Sequence, residues 1–216
     1  MMVVNRQPSL FRRYLIKALI YMKKSGKEKK FDLHVHTNFS DGINSPEEVV
    51  RYAKKIGLDG IAITDHDTMR GSKKVRRLAK DLEIILIPGV EITTPFGDIL
   101  ALGVEEVFSG KPSKILDKIR SAGGVSILAH PYGGYWRKSF AEMKIVKEFD
   151  AIEIFNASCP MEANIKAMGL AKKLKKPGTA GSDAHFLDMI GTAFTITKGR
   201  DIIDSIKKGK FKIGWV

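Results

Sequence analysis

An α/β fold built on a mainly parallel sheet is what this sequence predicts, and three observations carry it. From Phe31 onward, short apolar runs alternate with stretches of helical periodicity, the rhythm of βαβ units. The chain has 216 residues, 44% hydrophobic and 28% charged, which is enough for one barrel-sized domain with a substantial core and too apolar for a disordered one. Its five histidines (His34, His36, His66, His130 and His185) all fall at or just past the C-terminal end of a predicted strand. That is the face on which parallel barrels and open sheets carry their active sites.

Taken in order, residues 1–30 form an extension and residues 31–216 a single domain. The extension holds nine Lys or Arg against one acidic residue, a net of +8 out of +13 for the whole chain. Leu10, Phe11, Tyr14, Leu15, Ala18, Leu19 and Met22 recur at helical spacing, so a short basic amphipathic helix is predicted, followed by a linker from Lys23 to Lys30. The apolar run Leu19–Met22 is too short to span a membrane, and no small-residue cleavage site suggests a secretory signal. A helix packed on the body, a membrane-surface helix and a nucleic-acid-binding arm all fit this segment.

The domain opens with a strand over Phe31–Thr37. A helix over Pro46–Ile56 follows, capped by Ser45, with Pro46 in its first turn and Gly57 past its end. Strands are predicted over Gly60–Thr64, Ile84–Pro88, Ile99–Val104, Val125–Ala129, Ala151–Phe155, Thr179–Gly181, Thr192–Thr197 and Phe211–Val216. Helices are predicted over Ser72–Lys80, Ser113–Ala122, Phe140–Glu148, Met161–Leu174 and Ile202–Lys208. A single cysteine, Cys159, excludes an intrachain disulfide framework and makes a reducing, cytoplasmic setting the default.

The chemistry starts at His34-Val35-His36. Side chains two apart on a strand face the same way, so these imidazoles point together and bring four ring nitrogens in need of partners. A divalent metal ion satisfies that need; a hydrogen-bonded pair of core histidines is the plain alternative. Carboxylates accompany the histidines: Asp41 in the turn after the first strand, Asp65 and Asp67 on either side of His66, Glu91 after the third strand, and Asp183 two residues before His185. Such a set offers ligands for more than one ion, and mixed nitrogen and oxygen ligation suits Zn, Mn or Fe.

Five segments in this order, His34-Val35-His36-Thr37 with Asp41-Gly42, Thr64-Asp65-His66-Asp67, Pro88-Gly89-Val90-Glu91-Ile92, Ala129-His130-Pro131 and Gly181-Ser182-Asp183-Ala184-His185, resemble the successive motifs of the PHP (polymerase and histidinol phosphatase) family. The likeness runs from about residue 31 to about residue 197 and is to its short, stand-alone branch of metal-dependent phosphoesterases. It implies a distorted (β/α)7 TIM-like barrel with parallel strands and a centre of three divalent ions at the strand C-termini. Carried over position by position, the first ion takes His34, His36, Glu91 and Asp183; Glu91 bridges to a second, which His130 also binds; and a third takes Asp41, His66 and His185. One departure stands out. Relatives commonly place a histidine shortly after the glutamate, whereas here Asp98 occupies that place, an oxygen ligand that favours a harder ion.

The same likeness implies hydrolysis of a phosphate monoester by a metal-bridged hydroxide. In that scheme Asp65 or Asp67 assists proton transfer or orients His66, and Arg137 clamps the phosphate with Arg70 as second candidate. Tyr132, Tyr135 and Trp136 either stack on a base or roof the pocket, and Asn156 lines the site. The basic charge and the loop aromatics favour a phosphorylated small molecule such as a nucleotide, or a nucleic-acid 5′ end. Two other readings compete. An amidohydrolase-type C–N hydrolase also uses His-x-His on its first strand, but this chain lacks a mid-strand lysine to bridge its metals. A non-catalytic accessory protein binding nucleic acid through residues 1–30 has no use for so full a ligand set.

Overall fold

In the computed structural model the described residues are 28–133, 140–199 and 201–216. The basic helix predicted over Leu10–Met22 lies outside them. Nine strands form one sheet: β1 (Lys29–Val35), β2 (Gly60–Ile63), β3 (Ile85–Thr94), β4 (Gly97–Leu102), β5 (Val125–Leu128), β6 (Ala151–Asn156), β7 (Gly178–Gly181), β8 (Ala193–Thr197) and β9 (Lys212–Trp215). Their order is β7-β6-β5-β4-β3-β2-β1-β8-β9. The β1–β2, β2–β3, β5–β6 and β6–β7 pairs are parallel, as βαβ crossovers require. The open side is nearly closed where β7 comes back to β1: the Asp183 N–H donates to His34 O at 2.8 Å and the His36 N–H to Ala184 O at 2.9 Å. The result is the distorted barrel expected, with the ends of β1 and β7 side by side.

Two strands run against the rest. β4 is antiparallel to both β3 and β5, and β8 is antiparallel to β1. The third strand is therefore longer than the predicted Ile84–Pro88. It pairs with β2 as far as Pro88, then leaves that ladder and continues through Glu91 in a hairpin with β4, Gly89 lying opposite Leu102. Gly89 sits where the ladders change over. A Cβ there would come within 2.8 Å of the Leu102 side chain, which would have to shift to admit it.

Helix α1 (Pro46–Lys55) carries the predicted cap as a full capping box, in which the Ser45 hydroxyl accepts from the Glu48 N–H and the Glu48 carboxylate from the Ser45 N–H. The helix predicted over Ser72–Lys80 is two short ones, α2 (Arg70–Lys74) and α3 (Arg76–Asp81), broken at Val75 (φ −102°, ψ 9°). Val75 is fully buried among Val49, Val50, Ile61 and Ile63, and the break turns its side chain into that cluster. Helices α4 (Pro112–Ser121), α5 (Met161–Leu174) and α6 (Ile202–Lys207) match their predicted spans to within a residue.

The helix predicted over Phe140–Glu148 is instead a pair of 3₁₀ turns, Phe140–Glu142 and Lys144–Glu148. Phe140, Met143, Val146 and Phe149 repeat every three residues, the 3₁₀ period, and all four pack into one apolar cluster. A second cluster joins strands β1 to β6 with Ile202 and Ile206 of α6. No described helix is long and apolar enough to cross a membrane.

Candidate metal centre

All nine ligands named from the sequence meet at the C-terminal ends of the parallel strands. His34 is in β1 and His36 just beyond it; His66 follows β2, Glu91 lies in the extended β3, His130 follows β5, and Asp183 and His185 follow β7. Four imidazoles surround one another closely: the His36 ring centroid is 5.1 Å from that of His34, 4.8 Å from His66 and 4.5 Å from His185. The donor atoms fall into five overlapping groups, within each of which all lie within 4.8 Å of one another. These are His34–His36–Glu91, His34–His130–Asp183, His36–Asp183–His185, His36–Asp41–His66 and Glu91–Asp98–His130.

Glu91 is the hub. Its carboxylate, 1% exposed, lies 3.0 Å from His34 Nε2 through Oε2, 3.1 Å from His36 Nε2 through the same oxygen, and 3.0 Å from His130 Nε2 through Oε1. Asp183 Oδ1 approaches His36 Nε2 at 3.2 Å and His34 Nε2 at 3.4 Å. On the open side Asp41, about half exposed, reaches His185 Nε2 at 3.2 Å, His36 Nδ1 at 3.4 Å and His66 Nε2 at 3.6 Å. Asp98 is a buried strand residue of β4, with Oδ2 4.0 Å from His130 Nε2.

The donor set fits divalent ions. His36 Nε2 is buried and makes no hydrogen bond, although two carboxylate oxygens lie within 3.2 Å of it. The nitrogen therefore faces acceptors off the hydrogen-bonding line, a geometry that suits a shared cation better than a proton. The electrostatics point the same way. Burial pushes the Glu91 carboxyl up, but the charge of His34 and the close approach of the His34, His130 and His36 imidazoles outweigh it and hold the group well below the usual carboxylate range. Burial pushes His36 and His130 down, yet the neighbouring carboxylates lift both to about 9. Opposite charges are thus packed together in a low-dielectric pocket, ready for protons to be exchanged for metal.

Backbone strain concentrates at the same place. Of the five described non-glycine residues with positive φ, three are here: Asp67 (52°), His130 (24°) and Asp183 (55°).

The remaining predicted residues behave differently. Asp65 is fully buried and turned away from the cluster's metal-ligand groups: it accepts from the Thr37 N–H at 2.6 Å, from the Thr37 hydroxyl at 2.8 Å and from the Ser40 hydroxyl at 3.0 Å. A carboxylate so bonded clamps the β1–α1 turn. Asp67 is exposed, and its Oδ1 accepts the Thr93 N–H at 3.0 Å. Asn156, expected to face substrate, is fully buried. Its amide donates to Glu153 Oε2 at 3.0 Å and Asp183 Oδ2 at 3.1 Å, and its oxygen accepts the Ser158 N–H, so it orients carboxylates instead. Arg70 is exposed with its guanidinium 5.0 Å above the Phe39 ring. Tyr132 is half-buried, and burial raises its hydroxyl pKa. Arg137, Tyr135 and Trp136 lie outside the described residues.

Sequence reasoning missed Glu153. Fully buried in β6, it accepts from His34 Nδ1 at 3.0 Å, the His130 N–H at 2.9 Å and the Asn156 amide at 3.0 Å. Its signal was there to read: a lone carboxylate in the otherwise apolar strand Ala151-Ile152-Glu153-Ile154-Phe155 needs buried partners.

The PHP domain family profile matches residues 32–146, and the PHP-associated profile matches residues 161–211. This chain belongs to the PHP domain family. Among PHP-domain relatives, an uncharacterized protein of Methanocaldococcus jannaschii is 33% identical over 141 residues, 59% of this chain and 82% of that protein. The 5′-3′ exoribonuclease of Haemophilus influenzae is 47% identical over 66 residues, 31% of this chain but only 24% of the exoribonuclease. In fold, the chain resembles a two-domain protein of Bacteroides vulgatus described as containing a predicted PHP-like metal-dependent phosphoesterase. That TM-score is 0.71 at 20% identity, over 88% of this chain and 65% of that one.

Proposed function

We propose that this PHP-family metal-dependent phosphoesterase releases phosphate from a nucleotide or from a nucleic-acid 5′ end. The observation that carries the reading is the convergence of nine nitrogen and oxygen donors on Glu91 and His36, in groups no wider than 4.8 Å. In this reading His34, His36, Glu91 and Asp183 hold one divalent ion; Glu91, His130 and Asp98 a second; Asp41, His66 and His185 a third. Zn, Mn and Fe suit such mixed donors. Ions bound there supply Lewis acidity toward phosphate oxygens and lower the pKa of water toward neutrality.

The protein's own groups do the positioning. Glu153 fixes the His34 tautomer by accepting a hydrogen bond from Nδ1–H, which leaves the Nε2 lone pair free to ligate. Asn156 ties Glu153 to Asp183. Asp41, as the exposed edge of the cluster, marks where the phosphate enters. With Asp65 committed to the turn, Asp67 is the surface aspartate beside His66 that is left to deliver a proton to the departing oxygen. A substrate ending in a 5′ phosphate agrees with the exoribonuclease relative and with the basic residues 1–30, which favour a polyanionic partner through counterion release.

The test is phosphate release with added Mn²⁺ from a mononucleotide, a 3′,5′-bisphosphate and a 5′-phosphorylated oligonucleotide, with His34→Ala as control. Release from at least one, lost in the control, is expected. Absence of release from all three, with turnover of a cyclic amide, would overturn the reading in favour of C–N hydrolysis.

A further inference from the structure

The described surface exposes few large apolar side chains, and two of them stand at the mouth of the metal centre: Ile43 is 64% and Phe186 50% exposed. Each belongs to a ligand-bearing segment. Ile43 lies two residues after Asp41, and Phe186 directly follows His185. The Ile43 N–H donates to His185 O at 3.0 Å, which pins the two segments together beside the 3.2 Å contact between Asp41 and His185 Nε2. Neither side chain joins any of the four apolar clusters. The fold therefore does not require them, whereas exposing an aromatic ring has a cost in water.

Cations occupy the same turn. Phe39, two residues before Asp41, has the Arg70 guanidinium 5.0 Å and the Lys74 ammonium 5.7 Å from its ring centroid. Lys74 also pairs with Glu47 Oε1 at 3.0 Å, which leaves Arg70 as the cation of this turn. An exposed ring after His185, a phosphate-directed metal cluster and the Arg70 guanidinium match the repeating parts of a single-stranded nucleic acid, which are base, phosphate and next phosphate.

We propose that Phe186, supported by Ile43, is the stacking platform for the base attached to the phosphate held at Asp41 and His185, with Arg70 facing the adjacent backbone phosphate. This rests on the phosphoesterase reading and adds the determinant that makes the site prefer a 5′-phosphorylated strand to a phosphate ester without a base.

Two measurements test it. In the first, KM for a 5′-phosphorylated oligonucleotide is divided by KM for ribose 5-phosphate, which has no aromatic group, both with Mn²⁺. Phe186→Ala is expected to raise that ratio about tenfold or more, the size of one lost base–aromatic stack, and Phe186→Trp to restore it. Ile165→Ala, an equally exposed apolar residue on α5, is expected to leave it unchanged. An unchanged ratio in Phe186→Ala would overturn the proposal while leaving the phosphoesterase reading intact.

The second needs no turnover. An oligonucleotide with a non-hydrolysable 5′-methylenephosphonate and 2-aminopurine as its first base is titrated with zinc-loaded protein. Stacking quenches the probe in wild type and not in Phe186→Ala; equal quenching in both contradicts the proposal. If wild type releases phosphate from neither substrate, the underlying phosphoesterase reading has failed, and the quenching experiment still judges the platform separately.

Discussion

Glu153 illustrates how a single side chain can govern a site it does not enter. Its two oxygens accept from His34 Nδ1, the His130 N–H and the Asn156 amide, so one residue holds members of three of the five donor groups. Glu153→Gln is expected to weaken metal binding about 10- to 100-fold while the circular dichroism spectrum stays native; isothermal titration with Mn²⁺ would reveal it. Cys159 lies at the opposite extreme. Burial, assisted by the carboxylates of Glu153 and Asp183, pushes its thiol up to about 12, so it stays protonated at pH 8. In the metal-free native protein, alkylation by iodoacetamide at pH 8 should be far slower than in the unfolded chain and should speed up only well above that pH. The convergence of the nine candidate positions was legible because each pairs an ionisable side chain with a strand end. The roles of Asp65 and Asn156 were not, because a sequence does not show that their oxygens and amide are already taken by Thr37, Ser40, Glu153 and Asp183.

Among the elements, the turn from β1 to α1 is held more tightly than its length suggests. Asp65, at the end of β2, accepts both the N–H and the hydroxyl of Thr37, and Gly71 of α2 packs so closely that a Cβ there would overlap the Asp65 carboxylate. Asp65→Ala strands the buried Thr37 groups and is expected to cost about 1–3 kcal/mol, read as a lower midpoint in urea unfolding. A variant as stable as wild type would contradict the clamp. Element type was readable wherever periodicity and caps agreed, as in α1 with Ser45, Pro46 and Glu48. It failed where a tertiary contact overrode the local pattern. Val75 breaks its helix to reach a core cluster, and the three-residue spacing of Phe140, Met143, Val146 and Phe149 is a 3₁₀ period set among helical neighbours.

At the scale of the molecule, barrel closure is what assembles the centre. Only when β7 returns to β1 do Asp183 and His185 reach His34, His36 and Asp41. The reversal of β4 was not legible, because antiparallel pairing is settled by the β3–β4 hairpin rather than by any residue pattern within β4. Since the ligands converge only in the folded barrel, metal should stabilise the fold by mass action. Mn²⁺ at about a hundred times its Kd is expected to raise unfolding stability by about 2.7 kcal/mol, and chelation should reverse that gain. The most direct test of the central claim, a multinuclear centre built by these nine residues, is the number of divalent ions bound per chain, counted by elemental analysis after equilibrium dialysis, in wild type and in His185→Ala. Three ions in wild type and two in the variant are predicted, with the variant's fold retained and most of its turnover gone. One ion or none in wild type, or an unchanged count and activity in His185→Ala, would contradict it.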